Sequence, residues 1–316
     1  MGTMPVLYHS HGSPLLCFKE SDSGTWWKEV RVLSSSNLLC FPKGLCAPVL
    51  TIVKAGNLAR KAGVKGVILI GAHWEELDDR IRVATKYNPG KAQMGLVPPK
   101  YWRDYRINVD AGLASKVIKL LKAQGFSDVD QDPEFDWHDD TITPMKWMFP
   151  DGTPPATVIS MNARFDPVFH VRIGQAIQSL RHEGILIMGT GGTVHNLYRN
   201  NWLPLRWYGD NFQIGRKPAR WAVDFERALS DVIRDNQGAA LAAALVRLVQ
   251  HPGYKLAHPT PDHYFPLLSV AGLMTDSDGE ALRGELKAQT WELQNMCNNQ
   301  WIWGEFPVKQ QLVVAA

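Results

Sequence analysis

The sequence predicts an α/β fold, because short apolar runs of strand length alternate with segments that have the period of amphipathic helices. Each predicted strand is followed by a polar or glycine-containing turn, as expected where a chain reverses at a sheet edge. The chain of 316 residues is 45% hydrophobic and 21% charged, so it can bury a large core. We find neither an internal repeat nor a linker, and we therefore expect one domain over residues 1–316.

The predicted strands are rich in β-branched and aliphatic residues. They are residues 6–8, 66–71, 156–161 and 185–188. The predicted helices repeat apolar residues with a period of about 3.6. They are residues 111–124, 167–182, 218–235, 239–250 and 264–273. Two segments lack a clean period: we interpret residues 31–53, with two prolines, as an irregular insertion, and the tryptophan-rich residues 201–216 as a long surface or lid loop.

Composition excludes several classes of function. The net charge is +3, from 34 basic and 31 acidic residues without a long basic run, so we expect no binding to nucleic acid or to a membrane surface. No apolar run is long enough to span a membrane, and no secretory signal pattern occurs, so we expect a cytoplasmic protein. The four cysteines have neither CxxC spacing nor the density of a disulfide framework.

Histidines follow three of the predicted strands. His11 comes after residues 6–8, His73 after residues 66–71, and His195 after residues 185–188 and a glycine-rich turn. Ligands of α/β sheets bind beyond the carboxyl ends of strands, so we expect these side chains to converge. His263 opens the predicted helix 264–273 behind two prolines, which fix the entering chain.

This set of four histidines indicates a metal site, because neutral imidazole is the commonest metal ligand at physiological pH. Three protein nitrogens with open positions suit iron(II) or catalytic zinc. His9 is an alternative to His11, since alternation along a strand places both on one face. We expect the three remaining candidates to be surface or capping residues. They are His170, His182 and His251.

The motifs around these histidines resemble those of a known family. They are His11-Gly12-Ser13-Pro14, Gly71-Ala72-His73-Trp74-Glu75, Gly189 to Leu197 (GTGGTVHNL) and Pro259 to Leu267 (PTPDHYFPL). In this order and rough spacing they are similar to the class III extradiol ring-cleavage dioxygenases of the LigB superfamily, and most similar to the DOPA 4,5-dioxygenase-like branch. The resemblance covers about residues 5–303 and implies a central mixed β-sheet flanked by helices.

The resemblance also implies roles for individual residues. His11, His73 and His263 would hold a non-haem iron(II), and zinc sometimes occupies the same site in this family. His195 would be the acid/base histidine. His138 would orient the substrate, although its motif departs from the family's Phe-Asp-His-Gly by an inserted tryptophan and two following carboxylates. Those carboxylates, Asp139 and Asp140, fit helix capping equally well.

The activity implied is cleavage of a catechol-type ring, or of a related aminophenol, by O2 to a semialdehyde acid. The catechol must lose a proton to bind, and an imidazole can take it. One alternative is a zinc-dependent hydrolase that uses the same histidines, with Glu75 or Asp262 as general base. Another is a non-catalytic binding protein on the same scaffold, like the Memo relatives of the superfamily.

Overall fold

Eight strands form a mixed sheet in the computed structural model, which describes residues 2–17, 59, 61–276 and 278–307. The strands are β1 (Val6–Ser10), β2 (Gly66–Glu76), β3 (Arg80–Ala84), β4 (Asp128–Asp132), β5 (Ala156–Asn162), β6 (Ile185–Gly191), β7 (Gly284–Glu292) and β8 (Met296–Trp303). They lie in the order β4-β3-β5-β2-β6-β1-β8-β7. The β5-β2-β6-β1 pairings are parallel, whereas β8 is antiparallel to both β1 and β7. The predicted fold class, a mixed sheet with flanking helices, is confirmed.

Helices cover both faces of this sheet. They are α1 (Ala111–Ala123), α2 (Asp139–Met148), α3 (Pro167–Ile177), α4 (Leu203–Tyr208), α5 (Arg220–Asp235), α6 (Gly238–Leu248), α7 (Tyr254–Ala257) and α8 (Phe265–Gly272). Successive side chains of a strand point to opposite faces. Accordingly, Ile68 and Ile70 of β2 belong to a core that includes residues of α3 and α8, whereas Val67 and Leu69 belong to a second core that includes residues of α2. Because β2 is buried on both faces, residues 66–71 form a continuous apolar run in the sequence.

The predicted elements are found, but several boundaries differ. Strand β2 continues past Gly71 to Glu76, so His73 lies inside the strand and not after it. The helix predicted over residues 167–182 ends at Ile177 and continues as a 3-10 helix over Gln178–Glu183. The loop predicted over residues 201–216 contains the short helix α4. The insertion predicted over residues 31–53 lies outside the described residues.

Four strands, β3, β4, β7 and β8, were not predicted, because polar residues interrupt their apolar pattern. Strand β4 has the sequence Asp-Val-Asp-Gln-Asp and lies at the sheet edge, where only one side of its backbone needs a partner. Strand β8 contains Asn298, Asn299 and Gln300, which are all buried. Across the described part of the chain, no helix combines the length and apolar character needed to cross a membrane.

Candidate metal centre

Three of the predicted histidines come together at one end of the parallel strands. His11, His73 and His263 each offer a ring nitrogen, and these nitrogens all lie within 4.8 Å of one another. The Nε2 atoms of His73 and His263 are 3.1 Å apart. His195 stacks on His263 with a centroid distance of 3.4 Å and an interplanar angle of 7°. The four side chains that the sequence placed at strand ends and a helix start therefore form one cluster.

Irregular backbone brings these side chains into range. The ladder between β2 and β5 shifts its register between Ile70 and Glu75, and His73 lies in that interruption. At the end of β6, a Cβ on Gly191 would collide with the carbonyl oxygen of His263. The absence of a side chain at Gly191 thus lets the backbone of His263 approach, and Gly192 N donates to His263 O at 2.9 Å.

Two carboxylates hold His73. Its Nδ1 donates to Asp139 Oδ1 at 2.8 Å, and its backbone N–H donates to Asp140 Oδ2 at 3.0 Å. Helix α2 begins at Asp139, with His138 as N-cap residue, so neither aspartate is the capping residue that the sequence left open. Because Asp139 accepts from Nδ1, Nε2 of His73 is left for the cluster; a carboxylate behind a ligating histidine fixes its orientation in many metal sites.

Burial and neighbouring charges set the protonation of the cluster. Burial, with the nearby histidines, holds the pKa of His11 and of His263 well below the usual value, so both rings are neutral and able to ligate. Burial alone would lower the pKa of His73, but Asp140 and Asp139 outweigh it and raise that pKa to about 9. A metal ion must therefore displace a proton from His73.

The ring of His195 is neutral at physiological pH. Burial lowers the pKa of His195 to about 3, against a smaller opposing effect of the Asp262 charge. In the resting state the ring is a proton acceptor.

The donor set fits a metal ion. Nδ1 of His11 is buried and has no hydrogen-bond partner among the described residues, although an unpaired buried nitrogen is costly. Nδ1 of His263 lies 2.5 Å from Asp262 Oδ2 but forms no hydrogen bond with it, so among the described residues of the cluster only His73 is held by a hydrogen-bonded carboxylate. Neutral imidazoles together with a histidine oriented by a carboxylate are typical of metal sites.

The cluster opens into a cavity of about 260 Å³, which we call the histidine cavity. Its lining comprises His11, Gly12, Ser13, Pro14, His73, Gly95, Leu96, Asp139, His195, Leu197, Trp202, His263, Leu293 and Met296. A larger cleft of about 540 Å³ lies elsewhere, between Tyr87 and Thr153, but none of the possible metal clusters of the described residues lies in it. The candidate metal ligands His11, His73 and His263 therefore line the smaller cavity.

Several predicted residues lie outside this cavity. His138 is not in its lining; its Nδ1 donates to the carbonyl oxygen of His73 at 2.9 Å. His9 is buried and donates to Gln300 Oε1 at 2.8 Å, which leaves His11 as the cluster member. Glu75, proposed as a hydrolytic base, is exposed and also lies outside the lining.

The expectation that His170 is a surface or capping residue is wrong. Its side chain is not at the surface but fully buried, because α3 packs against α8, where the ring of Phe265 contacts the imidazole. Its Nδ1 donates to Asp166 O at 2.8 Å, and its Nε2 accepts from Asn162 N at 3.2 Å. By contrast, His182 is half-exposed and His251 accepts from the backbone of its own turn, as expected of surface and capping residues.

Sequence reasoning missed Glu292, which organises the loop after His11. Its buried carboxylate accepts from Ser13 Oγ (2.6 Å), Ser13 N (2.9 Å), Asn211 Nδ2 (2.6 Å) and Asn298 Nδ2 (2.8 Å). Burial raises the pKa of Glu292, against the opposing effect of these donors. The residue lies in the unpredicted strand β7, and no local signal in the sequence marks it.

Comparison with known proteins assigns a family. The model described as the catalytic LigB subunit of aromatic ring-opening dioxygenase matches residues 5–298. The 4,5-DOPA dioxygenase extradiol of Portulaca grandiflora is 28% identical over 229 residues, covering 72% of this chain and 78% of that protein. The protein of the same name from Escherichia coli K12 is 25% identical over 273 residues (85% and 84%), and dioxygenase tasH of Hapsidospora irregularis is 30% identical over 213 residues (66% and 64%).

A crystal structure provides a separate comparison of the fold. An uncharacterised protein of Escherichia coli K12 superposes with a TM-score of 0.61 at 20% identity, over 95% of this chain and all of that one. At this identity the likeness concerns the fold alone.

Proposed function

The chain belongs to the LigB family of aromatic ring-opening dioxygenases, and from that membership we propose that it is an iron(II)-dependent extradiol dioxygenase acting on a catechol-type substrate with O2 to give a semialdehyde acid. The observation that carries the proposal is the cluster of His11, His73 and His263, with His195 stacked beside it at the cavity. The family is metal-dependent, and a three-nitrogen site with open positions suits iron(II).

In this proposal His11, His73 and His263 would hold the metal. Bound there, iron(II) would supply Lewis acidity together with the one-electron chemistry toward O2 that zinc, a d¹⁰ ion, lacks. Asp139 keeps the ring of His73 oriented through its hydrogen bond to Nδ1. The apolar part of the lining, which includes Leu293 and Met296, excludes water from the reacting ring.

His195 is the proposed acid/base residue. Because its buried ring is neutral, it can accept the proton of a catechol hydroxyl and later return it to the opening ring. Its stacking on His263 keeps it beside the proposed metal ligands throughout. We assign His138 a positioning role through the backbone of His73, since it lies outside the cavity lining.

No specific observation favours the two alternatives. A zinc hydrolase needs a carboxylate that can reach water beside the metal, whereas Asp262 contacts the ring of His263 and Glu75 is outside the cavity. A non-catalytic binding protein would not need a buried, neutral His195 next to a three-histidine cluster.

The test is oxygen uptake by protein that has been stripped of metal and reloaded anaerobically with iron(II). The substrates are catechol, 4-alkylcatechols, protocatechuate, caffeate and DOPA, and a yellow semialdehyde is followed in parallel. We expect uptake equal to product formed, and none in the zinc-loaded control. A sample that holds one iron per chain but consumes no O2 with any of these catechols would contradict the proposal.

A further inference from the structure

Two leucines with strained backbones line the histidine cavity. Leu96 has φ +64° and Leu293 has φ +51°, and both lie in the left-handed region that a branched side chain rarely adopts. They belong to different loops, one before α1 and one between β7 and β8. Strain of this kind persists where the surrounding structure enforces it and often marks a functional site.

The turn that carries Leu96 gives no structural reason for a leucine. Leu96 is the third residue of the β-turn Met94–Val97, which is closed by a bond of 3.4 Å from Val97 N to Met94 O. Glycine is the usual residue where this position has positive φ. Met94 and Val97 are buried and anchor the turn, but the side chain of Leu96 is 65% exposed. Burial against the described residues therefore does not offset the strain of this turn.

Leu96 has two apolar neighbours around the cavity, and we call Leu96, Leu197 and Trp202 the apolar rim. All three line the cavity and are at least 40% exposed. The indole Nε1 of Trp202 donates to Leu197 O at 2.9 Å, which fixes the ring. Asn201 N donates to Leu293 O at 2.9 Å, so the rim is tied to the second strained leucine. The rim is thus held in place before any ligand arrives.

The charges around the cavity also favour an uncharged ligand. Among its described lining residues there is no lysine or arginine, and the charged side chain outside the histidines is Asp139, which is paired with His73. Against these described lining residues, a carboxylate on the substrate would lose its water without gaining a counter-ion, which is unfavourable.

We propose that the substrate's ring carries an uncharged, apolar substituent, an alkyl or aryl group, that packs against Leu96, Leu197 and Trp202. The proposal rests on the proposed ring-cleavage function and narrows it: catechols with a charged side chain, such as protocatechuate and DOPA, are poor substrates. Continuity of the rim with the histidine cavity favours a part of the substrate over a second protein as its occupant.

The first experiment compares 4-butylcatechol, 4-methylcatechol and 3-(3,4-dihydroxyphenyl)propanoate, in which a carboxylate replaces the end of the alkyl chain. Dissociation constants are measured on iron-loaded protein without O2, and kcat/KM afterwards with O2. Each methylene that the rim covers should strengthen binding roughly fourfold. We therefore expect 4-butylcatechol to bind about tenfold or more tightly than either competitor.

The two measurements separate the two proposals. Tight binding of 4-butylcatechol without turnover contradicts the ring-cleavage function and leaves the rim assignment standing. Turnover with equal or better binding of the carboxylate overturns the rim assignment and leaves ring cleavage standing.

A variant tests the role of Leu96 directly. L96G removes the side chain and relieves the strained turn, so we expect an unchanged or higher Tm together with a fourfold or greater loss of the butyl-over-methyl preference. The control is N88G, which likewise introduces glycine at an exposed residue with positive φ (+52°), lies outside the histidine cavity and should keep that preference. An unchanged preference in L96G overturns the proposal, as does a dimer that dissociates in W202A, because the rim would then be an interface between copies.

Discussion

Buried His170 should make the folded protein sensitive to mild acid. Both ring nitrogens are committed in the neutral form, with Nδ1 donating to Asp166 O and Nε2 accepting from Asn162 N. Protonation would place a second N–H against the N–H of Asn162 and a charge beside Phe265, whose ring centroid is 4.8 Å away. Burial accordingly lowers the pKa of His170 to about 4, against a smaller effect of the Asp166 carbonyl.

The direction and size of the effect follow from this pKa. The unfolded chain binds a proton on this ring below a pH of about 6.5, whereas the folded protein does so only below about 4. The unfolded state therefore holds more protons in this window, and the free energy of unfolding falls as the pH is lowered. Between pH 7 and pH 5 this single ring should remove about 2 kcal/mol, with further loss down to pH 4.

Urea unfolding of the wild type and of H170Q at pH 7 and pH 5 measures this contribution. Glutamine does not titrate, so the loss of stability on acidification should be about 2 kcal/mol smaller in H170Q, even if the variant is less stable at both pH values. Comparing the two differences removes the contributions of other buried histidines such as His258. If both proteins lose the same stability between pH 7 and pH 5, the assignment of a depressed pKa to His170 is refuted.

Further predictions concern the site. H195A should keep its metal but lose turnover by roughly 10²–10⁴-fold, whereas H73A should lose the metal. Metal analysis and O2 uptake measure both effects. Loss of metal in H195A would mean that His195 is a metal ligand and not the acid/base residue. D139N should weaken metal binding by roughly 10- to 100-fold in competition with a chelating dye, and unchanged affinity would mean that the carboxylate does not support His73. G12A should lower the free energy of unfolding by about 2 kcal/mol or more in urea, because φ is +66° and the new Cβ would collide with Glu292; wild-type stability would show that the loop can move.

The sequence predicted what depends on local pattern. Buried parallel strands are apolar on both faces, so the sequence predicted β2, β5 and β6. The convergence of the histidines was predicted because ligands of α/β sheets bind at the carboxyl ends of strands. Strands β7 and β8 were not predicted, because their polar side chains have the local pattern of a loop. Nδ2 of Asn298, for example, donates to the buried Glu292.

The same limit explains the residues whose roles the sequence left open or misassigned. Asp139 and Asp140 have the local pattern of a helix start, and only the approach of β2 shows that they hold His73. His170 lies on an amphipathic helix whose second buried face is created by α8, nearly a hundred residues later in the sequence. These roles depend on partners far away along the chain, which a local period does not encode.

The hairpin of β7 and β8 closes the histidine cavity from the far end of the chain. Ser13 and Glu292 are 279 residues apart, and His9 and Gln300 are 291 apart, yet each pair is joined by hydrogen bonds. Contacts of such high contact order carry a large loop-closure cost and form late in folding. During synthesis on the ribosome, His11 and His73 emerge long before this hairpin, so a nascent chain has only part of the cavity wall. The complete wall of the histidine cavity therefore forms only after the hairpin of β7 and β8 has paired with β1.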